Sequence, residues 1–406
     1  MTTTAQPREL RLPFDRPNVL DLAPLYDLLR REAPVTAVTT PAGDPAWLAT
    51  GFTEVRELLA DTRLGRSHPD PEHAARITHA AVQDGPTGDF ETEAADHTRM
   101  RRLLTPAFSA KRMRTLRDHV QQLVDACVDD MIARAASSPD GVVDLHASLS
   151  FPLPVAVICE LLGVPESDGA YFRDLSDRMA TSDPALDPHG ARVEFGRYMA
   201  GLAEGKRANP TEDVISDLVA AQTQDEGFDY EEMTRLAVGL LFAGHETTVN
   251  RIDLGTLFLL TRTDQWEALA ADPDGRVDAT VEEIMRLGAP GDLGILRYAH
   301  VDLEMGDVSI RRGDAVILSL NAANRDPDAF ADAEAFTPER EERGHVGFGH
   351  GGHFCIGASL ARTELRTVFA TLAKRLPGLR LAAELDDLDV RTHHITGGVT
   401  ELPVRW

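Results

Sequence analysis

The chain has 406 residues, three cysteines (Cys127, Cys159, Cys355) and a formal net charge of −25. That charge argues against nucleic acid as a general partner, and three cysteines are far too few for a disulfide framework. The length suffices for a large core, and no Pro/Ser-rich linker, composition shift or repeat divides it, so one domain over residues 1–406 is expected.

Residues 1–8 lack the basic-then-apolar pattern of a secretory signal. Residues 35–50 alternate and carry turn signals at Pro41, Gly43 and Pro45, which predicts a hairpin. Residues 53–60 read as a short helix. Residues 67–96 are polar with few large apolar side chains, a long loop of the kind that serves as a lid or binding loop. Helical periodicity then dominates over residues 97–104, 113–136, 149–162, 168–207 (with a break near 182–188), 212–222, 230–261 and 277–287. Cys127 and Cys159 fall in these apolar patterns and read as small buried hydrophobes. The most apolar stretch, residues 151–164, carries Pro152, Pro154 and Glu160 and is too short and interrupted to span a bilayer. No membrane partner is therefore expected, and the chain reads as a soluble protein of a reducing, cytoplasmic compartment. Residues 296–320 have strand-like runs with turns at Gly306 and Gly313, residues 356–376 a long helix, and residues 379–404 strands around Gly397 and Gly398. The fold class expected is mainly α with a smaller β part.

Residues 99–117 hold Arg99, Arg101, Arg102, Lys111, Arg112, Arg114 and Arg117 with no acidic residue. In so acidic a chain this local reversal is equally a solvated helix face or an interaction patch. The segment 230–261 is hydrophobic nearly all round through its middle, which predicts a helix buried through the core. At its centre stand Ala243, Gly244, His245, Glu246, Thr247 and Thr248. A glycine that weakens the helix and a threonine able to bond back to the preceding turn suit a local widening beside a ligand. Arg251 and Asp253 follow, two positions apart, and so do not face each other.

Two motif matches fail on context. His245-Glu246 lacks the second histidine at i+4 that a zincin needs, because position 249 is Val. Gly347, Gly349 and Gly352 fit the spacing of a dinucleotide fingerprint, but Arg340-Glu341-Glu342-Arg343-Gly344 precedes them where a strand is required. The same glycine-dense loop delivers Cys355 to the start of the helix over 356–376. Unpaired N–H groups and the helix dipole there favour an anion, hence a thiolate. The thiolate is the metal-ligating form, and a single cysteine thiolate is how one class of haem enzymes holds iron. Glu283 and Arg286, at i and i+3, are by themselves an ordinary helix pair.

Taken together, these segments resemble the soluble bacterial class of the cytochrome P-450 family, the haem-thiolate monooxygenases, over essentially the whole chain. Phe348-Gly-x-Gly-x-His-x-Cys355-x-Gly357 resembles the family's haem loop, and Ala243-Gly244-x-Glu246-Thr247-Thr248 its oxygen-activation motif. Glu283-x-x-Arg286 resembles its structural pair, with Arg340 in Phe336-Thr337-Pro338-Glu339-Arg340 completing a triad. His97-x-x-x-Arg101 resembles the haem-facing helix, and residues 321–327 the stretch after its strands. These motifs stand in the family's order.

The resemblance implies a helical fold around a buried haem b, with Cys355 as the axial metal ligand. His97, Arg101, Arg297 and His353 would contact the propionates. Gly349, Gly351 and Gly357 would let backbone approach the sulfur and porphyrin, and Phe348 would pack near the sulfur. Ala243 and Gly244 would line the distal face, where Thr247 and Glu246 would deliver protons during O–O cleavage. Glu283, Arg286 and Arg340 would hold the haem loop. Substrate contacts would fall at Leu240, Ala243, Gly291, Leu293, Ile295, Ile395 and Thr396. The expected activity is insertion of one atom of O2 into a small-to-medium organic molecule, a bacterial secondary-metabolite intermediate. A monomer would take electrons from a separate ferredoxin and ferredoxin reductase, with the basic run as docking patch. Dehydrogenation or oxidative coupling on the same scaffold, and a non-catalytic haem sensor, are the rival readings.

Overall fold

The computed structural model describes residues 10–80, 85–181, 183–222, 228, 230–288, 293–391 and 396–406. In chain order its elements begin with α1 (Pro24–Glu32), β1 (Val35–Thr39), β2 (Pro45–Ala49), α2 (Phe52–Ala60), β3 (Leu64–Gly65), α3 (Glu93–Leu104) and α4 (Ala110–Ser137). Next come β4 (Val143–Asp144), α5 (Pro152–Leu162), α6 (Gly169–Ala180), α7 (Pro188–Ala208), α8 (Val214–Gln222) and α9 (Tyr230–Leu260). The chain closes with α10 (Thr263–Ala271), α11 (Pro273–Leu287), β5 (Ile295–Ala299), β6 (Leu303–Met305), β7 (Val308–Ile310), β8 (Ala315–Leu318), α12 (Leu320–Ala323), α13 (Ala358–Arg375), β9 (Arg380–Leu381) and β10 (Pro403–Arg405).

The helices start where the sequence supplies caps. Asp187 and Asp272 each accept the backbone N–H three residues on, and Pro188 and Pro273 occupy the first helical positions. α5 stops at Gly163, whose φ of 83° is left-handed. Several elements differ from the periodicity. α3 begins four residues before 97, α5 is preceded by a π-turn at His146–Ser150, and α1 and α10 are additional helices. Pro152 has no N–H to continue an α-ladder backwards, so the turn before it takes another form.

The five-stranded sheet has the order β1-β2-β8-β5-β3; the β2–β8 pair is parallel and the others antiparallel. Side chains of β8 alternate between its faces. Ala315 and Ile317 join Tyr26 and Leu29 of α1, while Val316 and Leu318 join Val55 and Leu58 of α2. The largest core is helical. α9 runs 31 residues, about 46 Å at 1.5 Å per residue, and contacts α5, α7, α8, α10, α11 and α13. Every residue from Val249 to Leu260 is buried. α13 packs on α4 and α11. The loop before α13 and the middle of α9 are thereby carried by helices packed into the core.

Burial obliges Arg251 and Asp253 to find partners. Arg251 donates to the Ile284 carbonyl at 3.3 Å, near the C-terminal end of α11, where a cation is favoured. Asp253 meets His146 Nδ1 at 2.7 Å.

Candidate active site

Cys355 lies in the turn between Phe348 and α13. Its N–H donates to the Phe348 carbonyl at 2.9 Å, and the Gly349 N–H to the Val346 carbonyl at 2.8 Å. Asn324 Oδ1 accepts the Val346 N–H at 2.8 Å, tying the loop to the chain after β8. Gly349 and Gly351 have φ of 73° and 69°, a region costly for residues with a Cβ. A Cβ on Gly351 would also stand 2.7 Å from the Ala60 Cα, so this glycine seats the loop on the end of α2. Within the protein its close approach is to a helix. Gly357 does lie by the sulfur, its Cβ position 3.9 Å from Cys355 Sγ.

Cys355 has accessible surface, yet burial is the strongest influence on its thiol and pushes it up, against the pull of the Gly357 N–H, Arg101 and Arg362. The thiol is thus accessible yet crowded by protein atoms. The helix start alone does not ionise it, so a thiolate there calls for a bound cation.

Near this thiol basic side chains converge. His97 and Arg101 come from α3, Arg297 from β5, Arg66 from just after β3, and His353 from the loop. The His97 and His353 rings are 4.1 Å apart. Burial, then Arg297, His97 and Arg66, pushes His353 down to about 3. Burial and Arg66 push Arg297 down to about 10, and burial and Arg101 lower His97. Among the described residues none of Arg66, His97, Arg101, Arg297 and His353 is in an ion pair. The nearby acid, Glu93, already accepts the Arg66 and Ser67 N–H groups and the Ser67 hydroxyl. Three guanidiniums, of Arg66, Arg101 and Arg297, thus stand together without a carboxylate partner and with the neutral imidazoles of His97 and His353 beside them. Such a cluster fits a dianionic ligand, and the two propionates of a haem beside a cysteine meet that requirement. Arg66 was not visible as a site residue in the sequence; it is one basic residue ahead of a polar loop. Arg101 also donates to the Phe354 carbonyl at 3.0 Å.

α9 is unbroken through the distal motif, so the expected widening is absent. Thr247 Oγ1 donates to the Ala243 carbonyl at 3.0 Å, and Ala243 itself is exposed, between buried Phe242 and half-buried Gly244. Gly244 faces elsewhere. Its Cβ would lie 2.7 Å from Ile158 Cδ1, so it admits the close approach of α5. Glu246 is 1% exposed and does not bond to Thr247. Its carboxylate accepts from Thr396 Oγ1 at 2.8 Å and from Arg391 Nη1 at 3.3 Å. Arg391 Nη2 is 3.6 Å from Asp177. His245 Nε2 lies 3.6 Å from Glu246 and 3.1 Å from Ser176 Oγ.

The predicted triad is assembled. Glu283 accepts from Arg286 at 2.8 and 2.9 Å, from Arg340 at 2.9 and 3.0 Å, and from the Thr337 N–H at 2.8 Å. A second cluster was missed. Glu282 accepts from Arg362 at 2.6 and 2.8 Å and meets His345 Nε2 at 3.1 Å. Of the pocket residues, Thr396 reaches Glu246, and Leu240 packs against the helical core. Leu293 and Ile295 pack on the two sides of the sheet. Gly291 and Ile395 lie outside the described residues. Of the basic run, Arg99 pairs with Asp96 and Glu232, and Arg112 with Asp217.

With this geometry in view, the comparisons are consistent. The family profile "Cytochrome P450" matches residues 276–376. The chain is 42% identical to pentalenolactone synthase of Streptomyces exfoliatus, covering 98% of this chain and 99% of that protein. It is 38% identical to the cytochrome P450 monooxygenase PikC of Streptomyces venezuelae, over 100% and 96%. The solved structure of SgvP, a putative thioether synthase in griseoviridin tailoring, superposes with a TM-score of 0.90 at 35% identity, covering 98% of this chain and all of that one.

Proposed function

Because this chain belongs to the cytochrome P450 family, a haem b monooxygenase is the premise, and we propose the residues that run it: Cys355 as axial ligand, Arg66, His97, Arg101, Arg297 and His353 on the propionates, and Thr247 with Glu246 for proton delivery. The family's activity is oxygen insertion from O2 into organic substrates, with electrons from redox partner proteins. The observation that carries the residue assignment is the cluster of Arg66, Arg101 and Arg297 without a carboxylate partner, with His97 and His353 held neutral beside them.

The bound haem supplies dioxygen binding, O–O cleavage and atom transfer. The chain supplies the rest. Phe348, 7% exposed, shields the ligand loop. The Gly357 N–H steadies the sulfur. Thr247 presents a hydroxyl whose proton is directed to the Ala243 carbonyl, leaving its lone pairs for a donor. Glu246 reloads from the far side. Burial keeps His245 neutral, and its Nδ1 is 3.2 Å from the Leu241 carbonyl. Nδ1 therefore carries the proton and Nε2 accepts from Ser176. Arg391 links Glu246 to Asp177, whose side chain is 42% exposed. Arg391 and Thr396 thereby fix the orientation of the Glu246 carboxylate.

The relatives named for pentalenolactone synthesis and for the PikC monooxygenase support a secondary-metabolite intermediate as substrate. A monomer served by an acidic ferredoxin fits the exposed Arg102, Lys111, Arg114 and Arg117; Arg99 and Arg112 are engaged internally and drop out of that surface. Among the described residues no helix is long and apolar enough to cross a membrane. The reduced, CO-bound protein is expected to show the thiolate-type Soret shift, and Cys355→His to lose it. A parent without the shift, or a variant that keeps it, refutes the assignment.

A further inference from the structure

Glu282 and Glu283 are adjacent on α11 but serve different clusters. Glu283 faces the buried triad, while Glu282 faces α13 and the haem loop. Arg362, seven residues beyond Cys355, makes two contacts with Glu282, at 2.6 and 2.8 Å, in a fork that fixes its plane. Its guanidinium lies 4.3 Å from the centre of the Phe348 ring, within cation–π range. Phe348 in turn accepts the Cys355 N–H through its carbonyl. His345, from the same loop, meets Glu282 at 3.1 Å. Arg362 and Cys355 also act on each other electrostatically. The result is a cation pinned against the ligand loop with its counter-charge one layer further out.

A positive charge near a metal–thiolate unit favours the form carrying one more electron, and a negative charge opposes it. We propose that Arg362 and Glu282 together set the reduction potential of the iron bound through Cys355: Arg362, docked on Phe348, favours the reduced state and Glu282 partly cancels it. The inference rests on Cys355 being the ligand. It goes beyond that assignment by giving opposite signs to two residues that merely look like a surface pair. Arg362 and Glu282 are positioning and tuning residues; neither takes part in the chemical steps.

The test is a spectroelectrochemical titration of the haem-loaded protein, in which dithionite supplies the one electron the iron takes up. The CO-bound Soret band of the parent is recorded first, so that failure of the ligand assignment is seen separately. Arg362→Gln is expected to shift the one-electron reduction equilibrium about tenfold toward the oxidised form, which is 59 mV. Glu282→Gln is expected to shift it toward the reduced form. Arg362→Lys, which keeps the charge but not the fork, should fall between Arg362→Gln and the parent. Should Arg362→Gln fail to retain haem, Arg362→Lys and Glu282→Gln decide the matter. A structural role alone predicts no shift, or shifts of one sign, in all variants. Either result overturns the proposal.

Discussion

Replacing Glu283 by Ala tests whether the haem loop depends on a buried charge cluster. Glu283 is 2% exposed, and the side chains of Arg286 and Arg340 are 1% and 5% exposed. Five hydrogen bonds end on its carboxylate. The two arginines also make five to the carbonyls of Asn324, Ala331, Ala333 and Ala335. Removing the carboxylate leaves two buried cations facing carbonyls and, for Arg340, only the partly exposed Glu342 at 4.0 Å, a loss of roughly 3–5 kcal/mol. That is a large share of a typical net stability of about 5–15 kcal/mol. With an unfolding entropy near 2.1 cal/mol/K per residue, a chain of 406 residues should lose roughly 4–6 °C in its thermal midpoint. The damage should be local first. Arg286 anchors Asn324 through its carbonyl, and Asn324 anchors Val346 in the haem loop. Haem content per chain is therefore expected to fall more steeply than helicity, read by absorbance and circular dichroism on the same sample. A Glu283→Ala protein with the parent's haem content and a midpoint within about 1 °C would show the reasoning to be wrong.

Glu364 on α13 is 1% exposed, its Oε2 has no hydrogen-bond partner, and burial pushes its carboxyl up to about 8 from an ordinary 4.5. The folded state thus keeps a proton that the unfolded state releases. Stability from this group is fully present below about pH 4.5 and is lost as pH rises to about 8, a change on the order of 3 kcal/mol by neutral pH. Glu364→Gln should remove that dependence; its urea midpoint relative to the parent should rise between about pH 5 and pH 8, and a constant difference would contradict this. For electron transfer, charge reversal at Lys111, Arg114 and Arg117 should raise the KM for an acidic ferredoxin and flatten the loss of turnover with added salt. Turnover indifferent to both would move the docking surface elsewhere.

Much of the candidate site was legible because its motifs are local. The loop before α13 holds its cysteine, glycines and Phe348 within ten residues, and the Glu246-Thr247 pair sits on one helix whose apolar surround announced its burial. The pair Glu283 and Arg286 was equally plain as a helix spacing. Arg340 joined it only through resemblance, because 54 residues separate it from Arg286. Glycines were the ambiguous signal. A glycine in the sequence says that something comes close, and only the packing shows that Gly244 meets Ile158 and Gly351 meets Ala60.

What the sequence determined by itself was the fold class, the residues able to ligate iron and the order of the motifs, since periodicity, capping and side-chain chemistry act over a few residues. What the tertiary structure decided was which charges meet. Arg362 finds Glu282 across 80 residues and Arg391 finds Glu246 across 145. Arg66 gathers with His97, Arg297 and His353 from four separate segments. Such partnerships have no local signature: a buried charge takes whatever counter-charge or carbonyl the packed helices and strands bring within about 3 Å. Arg251, Asp253 and Glu246 therefore acquired their partners only once α9 lay in the core.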